Sequence, residues 1–145
     1  MKSLIFLFFS SIYLFGITPF SLENIKEVNV NILNKKEVIS KDLELKLERK
    51  IIEELQELGI KTQTENYINF IVKISIDNIK DVKFVRTSIM ISEDVAPLRD
   101  KELLMIAITY KKSDSFEAED LEVDIYESII DYLFEDFKDQ YKDEN

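Results

Sequence analysis

The spacing of apolar residues changes period along this chain, and that change is the strongest restriction on its fold. Three stretches alternate apolar and polar residues, as half-buried β-strands do, a fourth is apolar on both faces, and two stretches repeat apolar residues at helical spacing. Only two glycines and two prolines occur in 145 residues, which favours long regular elements. The strands are predicted over 28–34, 66–78, 83–92 and 103–112, and the helices over 40–58 and from about Asp120 onward.

Each predicted helix carries one apolar stripe. Ser40 can cap the first helix, and Gly59 can end it by taking a left-handed backbone conformation. The three later strands have short connections, which predicts an antiparallel meander. The sequence therefore predicts one α+β domain with two layers and the order β-α-β-β-β-α, in which both helices cover one face of a four-stranded, mostly antiparallel sheet. The second stripe consists of Leu121, Ile125, Ile129, Leu133, Phe137 and Tyr141.

The first residues, MKSLIFLFFSSIYLFGITPFS, differ from the rest. Lys2 precedes an apolar run from Leu4 to Ile17, and Pro19 and Ser21 follow, which is the layout of a secretory signal peptide. A membrane span needs roughly 20 apolar residues, so the run is short for one. An uncleaved N-terminal anchor is the alternative. We expect a signal peptide over 1–21, a single domain over 22–145, a periplasmic or secreted location, and no stable membrane anchor after cleavage.

The missing residue types restrict the chemistry. The chain has no cysteine and no histidine, which excludes thiol nucleophiles, disulfides, imidazole bases and the usual zinc sites. Beyond the predicted signal peptide only Gly59 remains, so glycine-rich phosphate loops are excluded too. Pairs of carboxylates are the one acid–base arrangement left, and nothing marks a pair. We expect no enzyme activity and no cofactor, with a carboxylate-based hydrolase as the less favoured alternative.

The negative charge is concentrated near the C-terminal end. The formal net charge is −10, and residues 114–145 hold 13 acidic residues and two lysines. Such a surface repels nucleic acid, so no nucleic-acid partner is expected. We interpret the acids as the solvated face of the second helix. Weak calcium binding at Glu117–Asp124 is the alternative, although this run lacks the spacing of an EF-hand.

The alternation also predicts apolar side chains on the sheet face away from the helices. Lys73 and Arg86 interrupt this face, but its apolar content is high for a surface in contact with water. We expect it to bind an unknown envelope protein or an apolar ligand, and the alternatives are a covering loop or a second copy in a homodimer. The predicted partner-binding residues are Tyr67, Ile71, Phe84, Met90 and Met105.

Three short motifs carry a resemblance. The first helix ends in ELGI, the last turn and strand read APLRDKELLMIAITY, and the last helix has an F-x-x-x-Y-x-x-x-N pattern at Phe137, Tyr141 and Asn145. The chain resembles a group of uncharacterised bacterial periplasmic proteins whose last strand often has Trp at the position of Tyr110. The order of elements is also similar to that of the lipopolysaccharide-assembly lipoprotein LptE and the N-terminal domain of TolB, although this chain lacks the lipidated cysteine of LptE.

This resemblance and the missing catalytic residues lead to one expectation of function. It is a non-enzymatic periplasmic binding domain, or an accessory domain in envelope assembly, whose partner is unknown. The second hypothesis is a structural homo-oligomer that buries the open sheet face against a second copy. Fold-level similarity to binding modules favours the first hypothesis.

Overall fold

The computed structural model describes residues 20–34, 37–80 and 82–145, so almost all of the predicted signal peptide lies outside the described residues. Within these ranges no helix combines the length and the apolar character needed to cross a membrane. The elements are β1 (Glu27–Asn34), α1 (Lys41–Glu57), β2 (Lys61–Thr62), β3 (Asn69–Ile79), β4 (Val82–Val95), β5 (Met105–Glu117), α2 (Leu121–Glu127), a π-helical segment (Ser128–Phe134) and α3 (Glu135–Glu144).

The sheet has five strands in the order β2-β1-β3-β4-β5. β1 is parallel to both β2 and β3, whereas the β3–β4 and β4–β5 pairs are antiparallel. The α+β class is confirmed, but the prediction of a four-stranded, mostly antiparallel sheet is wrong. β2 has only two residues, too few to show a period. The crossover through α1 returns the chain to the same end of the sheet, which makes β3 parallel to β1.

α1 forms where the sequence predicts it. The Ser40 hydroxyl accepts a hydrogen bond from the Leu43 amide at 3.2 Å and caps the first turn. Gly59 follows the helix with φ of +80°, a conformation that costs glycine little. The predicted stripe is buried through Leu43, Leu47, Ile51 and Leu55.

The helix at the C-terminal end contains seven π-helical residues between two α-helical parts. Its predicted stripe repeats at every fourth residue. An α-helix has 3.6 residues per turn, so each four-residue step moves the stripe about 40° around the helix. A π-helix has more residues per turn and turns the stripe back. The π-helical segment thus keeps Ile125, Ile129, Leu133 and Phe137 buried over the sheet.

One face of the sheet and both helices form a single core. Phe70, Val72 and Ile74 on β3 pair with Ile91, Ile89 and Thr87 on β4, as the alternation predicts. Aromatic rings close the core toward α3. The Phe137 ring lies 5.3 Å from that of Phe70 and 5.5 Å from that of Tyr110, both edge-on.

One ion pair joins α1 and α3 at the edge of this core, and a second ion pair, within α1, uses the same carboxylate. Lys138 Nζ on α3 lies 2.9 Å from Glu54 Oε2 on α1, and Lys50 Nζ lies 2.6 Å from Glu54 Oε1. Hydrogen bonds from these two lysines hold the pKa of Glu54 below its ordinary value. The Lys138–Glu54 ion pair holds α1 beside α3.

Candidate functional site

The predicted partner-binding residues do not form one patch, and only Ile71 and Met90 lie side by side. Ile71 and Met90 are direct cross-strand partners on the face away from the helices, and Met90 is only 7% exposed. Phe84 lies nearer the other end of β4, where it pairs with Asp77. Tyr67 precedes β3 and is 76% exposed. The structure therefore brings Ile71 and Met90 together and leaves the other two apart.

The fifth residue, Met105, lies on the opposite face from the one predicted. The register between β4 and β5 shifts after the Ile91–Tyr110 pair, because the next pair is Ser92 with Ile108. Thr109 is the extra residue of this β-bulge, and a bulge changes which face the following residues occupy. Met105 pairs with Val95 and so lies on the helix side of the sheet. The alternation pattern alone could not show the bulge.

Polar side chains fill much of the open face. The Ser88 and Ser113 hydroxyls are 2.9 Å apart across β4 and β5, and the Arg86 guanidinium donates to Ser115 at 3.4 Å. Asn31 on β1 donates its amide to Asn69 on β3 at 3.1 Å. These cross-strand hydrogen bonds divide the apolar residues of the face, so the large continuous apolar surface predicted there does not form.

Exposed apolar side chains are concentrated instead at one end of the β4–β5 hairpin. β3 last pairs with β4 at Asn69 and Ser92, and residues 93–95 of β4 then pair only with residues 105–107 of β5. We call residues 93–108 the arm. It consists of the end of β4, the connecting loop and the start of β5. The hairpin thus extends beyond the rest of the sheet.

Apolar side chains are exposed on both faces of the arm. Ile106 and Ile108 pair with Asp94 and Ser92 and point away from the helix side, whereas Met105 points toward it. Ile106 is 75% exposed. Isolated exposed apolar residues are common, but a cluster of this kind indicates a contact surface. The large exposed apolar residues of the arm are Leu98, Leu103, Leu104, Met105, Ile106 and Ile108.

The arm also belongs to an open sheet edge. β5 is the last strand of the sheet, and no described strand pairs with its outer side. Unpaired backbone amides and carbonyls on such an edge can pair with another strand. The bulge at the base of the arm is held by the Thr109 hydroxyl, which donates to Glu93 at 2.6 Å. The arm therefore offers both backbone partners and apolar side chains.

One sequence signal pointed to this surface. The stretch LLMIAITY is apolar at successive positions, so a strand formed from it must expose apolar side chains unless both of its faces are covered. An edge strand at the end of a hairpin has no such cover. The sequence predicts a strand here, over 103–112, but β5 continues to Glu117 through residues predicted as a loop, and the predicted binding residues lie mainly on the central strands.

Catalytic arrangements are sparse in the described part of the chain. The Ser128 hydroxyl donates to the Asp114 carboxylate at 2.9 Å and lies 2.7 Å from the Thr87 hydroxyl, but Ser128 is only 5% exposed. Tyr110 is buried, its hydroxyl has no hydrogen-bond partner among the described residues, and burial raises its pKa above the ordinary value. Neither hydroxyl is exposed to solvent, where a substrate would have to reach a nucleophile.

The acidic surface forms a wide cleft of about 570 Å³ between the start of α1 and α2. Lys46 lies over the Tyr126 ring at 4.2 Å and occupies one side of it. Glu122 accepts a hydrogen bond from the Ser40 amide at 2.8 Å, which lowers the pKa of its carboxyl group. No group of three or more acidic side chains in the described ranges is arranged to hold a metal ion.

Comparison with protein-family models and with curated proteins finds no match to this chain. The resemblance to periplasmic proteins therefore stays a prediction from the motifs.

Proposed function

We propose that this protein is a non-enzymatic binding domain of the bacterial cell envelope, exported through its N-terminal apolar segment, and that the arm is its contact surface. One observation carries the proposal: the arm exposes apolar side chains on both faces next to an unpaired strand edge. Burial of apolar area contributes about 25 cal/mol per Å², so this surface gains free energy when a partner covers it.

The partner that fits this surface is an extended apolar segment of another envelope protein. Such a segment can add to the outer edge of β5, where backbone hydrogen bonds supply part of the affinity. Its side chains would alternate between the face of Ile106 and the face of Met105. A ligand that covers only the face of Ile106 and Ile108 would leave Met105 in water.

Site-specific photo-crosslinking in envelope-exporting cells tests this proposal. A photoreactive residue is placed at Ile106 in one variant and at Ser115 in the other. Both residues lie on β5, are exposed and point to the same face, but Ser115 lies outside the arm. We expect an adduct with another envelope protein from position 106 and none from position 115. Equal adducts at both positions, or none at position 106, would contradict the proposal.

The same experiment distinguishes the homo-oligomer hypothesis from binding to another envelope protein. An adduct from position 106 with twice the mass of the chain, and no other adduct, would replace the envelope partner with a second copy. Light scattering of the purified protein then gives the number of copies.

A further inference from the structure

The last turn of α3 holds the start of the folded domain through several specific contacts. Leu22 is fully buried, and its backbone N–H donates to the Glu144 carboxylate. The side-chain amide of Asn145 donates to the Leu22 carbonyl at 3.0 Å, and its oxygen accepts from the Asn24 amide at 2.9 Å. We call Glu144 and Asn145 the clasp.

The clasp explains the last sequence motif. Residues four apart on a helix lie on one side of it, so Phe137, Tyr141 and Asn145 share a face. Phe137 fills the core, whereas the Tyr141 hydroxyl donates to the Ile25 carbonyl at 3.0 Å and Asn145 binds Leu22. Two of the three motif residues thus hold the N-terminal segment.

Glu144 is unfavourably placed for a helix alone. The end of a helix carries partial negative charge, which favours a cation there and not a carboxylate. Asp143 and Glu144 both lie in the last turn of α3, together with the basic residue Lys142. Glu144 contacts the Ser21 hydroxyl at 3.3 Å and the Gln140 side-chain amide at 2.8 Å, both neutral donors. A positive charge on the Leu22 nitrogen would offset the unfavourable position of the Glu144 carboxylate at the end of the helix.

We propose that the clasp is the binding site for the α-ammonium group of the mature protein. Water hydrolyses the Ser21–Leu22 peptide bond in a signal-removing peptidase, which leaves a carboxylate on Ser21 and an ammonium group on Leu22. The neutral Leu22 N–H that donates to Glu144 is thereby replaced by a charged ammonium group with three N–H donors. A charge-assisted hydrogen bond is stronger than a neutral one, so removal of residues 1–21 tightens the clasp.

The test uses the full chain, exported by a host cell and purified after processing. Intact mass identifies the first residue, and we expect Leu22. An amine-reactive reagent then labels the protein, and peptide mass spectrometry follows the N-terminal amine against the lysine side chains. Glu144→Gln should speed labelling of the N-terminal amine about tenfold, the size expected of one charge-assisted hydrogen bond, and leave the lysines unchanged.

Asp143→Asn is the matched control, since Asp143 is an exposed acid in the same turn and contacts no partner among the described side chains. An unchanged rate in Glu144→Gln, or an equal gain in Asp143→Asn, overturns the clasp. If Glu144→Gln unfolds the protein, the lysines are labelled faster too; Glu144→Asp, which keeps the charge, must then restore slow labelling. The inference rests on the proposed export but not on the arm. A purified protein that still begins at Met1 contradicts export. A protein that begins at Leu22, with the same rate of N-terminal labelling in Glu144→Gln, contradicts the clasp alone.

Discussion

The two halves of the β4–β5 hairpin both carry apolar residues on the helix side of the sheet but have opposite surroundings. Ile91, in the half beneath the helices, is fully buried, whereas Met105, in the arm, is 41% exposed. Both side chains point to the helix side of one hairpin. The difference comes from what lies over each half: Tyr110 still contacts Phe137 of α3, and beyond the bulge at Thr109 the apolar residues of β5 are exposed.

This comparison separates strand formation from burial. β-branched residues favour extended backbone in both halves. A hydrophobic core, however, needs a second layer, and the helices supply it only for the first half. The arm is formed by the same residues that would make a core, without the layer to cover them. Its apolar side chains are therefore available to a partner.

The largest expected effect is in the buried half. Ile91→Ala should lower the free energy of unfolding by about 2–5 kcal/mol, because it removes buried methylene groups and leaves a cavity. Urea denaturation measures the change. A midpoint equal to that of the unmodified protein would show that Ile91 is not in the core and that the comparison fails.

A smaller effect is expected where the helices are held over the buried half. Glu54→Gln should lower the free energy of unfolding by about 1 kcal/mol, since Lys50 and Lys138 lose a charged partner in a half-exposed setting. The pKa of Glu54 lies below its ordinary value of 4.5. Its contribution is therefore present above about pH 4.5 and is lost as the pH falls below that value. Denaturation at pH 7 measures the loss of stability in Glu54→Gln, and denaturation at pH 3 shows whether the difference from the unmodified protein disappears.

Glu53→Gln is the control for this prediction. Glu53 is an exposed neighbour on the same helix and should change stability by less than about 0.5 kcal/mol. If the two variants behave alike at pH 7, the two ion pairs of Glu54, one within α1 and one with α3, add nothing to stability.

The boundary between the two halves lies at Tyr110. Its hydroxyl is buried without a hydrogen-bond partner among the described residues, and such a group is unfavourable. Tyr110→Phe should raise the free energy of unfolding by up to about 1 kcal/mol, as read from the denaturation midpoint. Loss of stability would instead show that the hydroxyl has a partner, such as water, and that the boundary is wetter than the packing indicates.

The smallest effect on folding is expected in the arm. Ile106→Ala should change the free energy of unfolding by less than about 0.5 kcal/mol, because the side chain is already in water. Phe84→Ser, at the other end of the open face, should also leave folding nearly intact. A photoreactive residue at position 104 reports on partner binding through the yield of its crosslink. Ile106→Ala should lower this yield, whereas Phe84→Ser should leave it unchanged. A loss of more than about 2 kcal/mol in Ile106→Ala would place it in the core.

Local patterns in the sequence determined a large part of the fold. The Ser40 cap, the Gly59 end and the leucine stripe set α1, and the alternation around Phe70 and Ile89 set the buried face, because these features depend on neighbours in the chain. The sequence also contained the apolar run of β5. It did not reveal the two-residue β2 or the side on which Met105 lies, since a short strand has no period and a bulge depends on the facing strand.

The chain alone thus determined which residues are apolar and with what period, and which chemistries are missing because cysteine and histidine are missing. Tertiary structure decided which of the apolar residues are covered. Burial depends on how far the helices extend over the sheet, and the contacts that fix this, such as Phe137 with Tyr110 and Lys138 with Glu54, join residues far apart in the chain. The clasp arises from contacts between the two ends of the described chain, which no local pattern shows, whereas the apolar run of β5 pointed to the arm but not to its exposure.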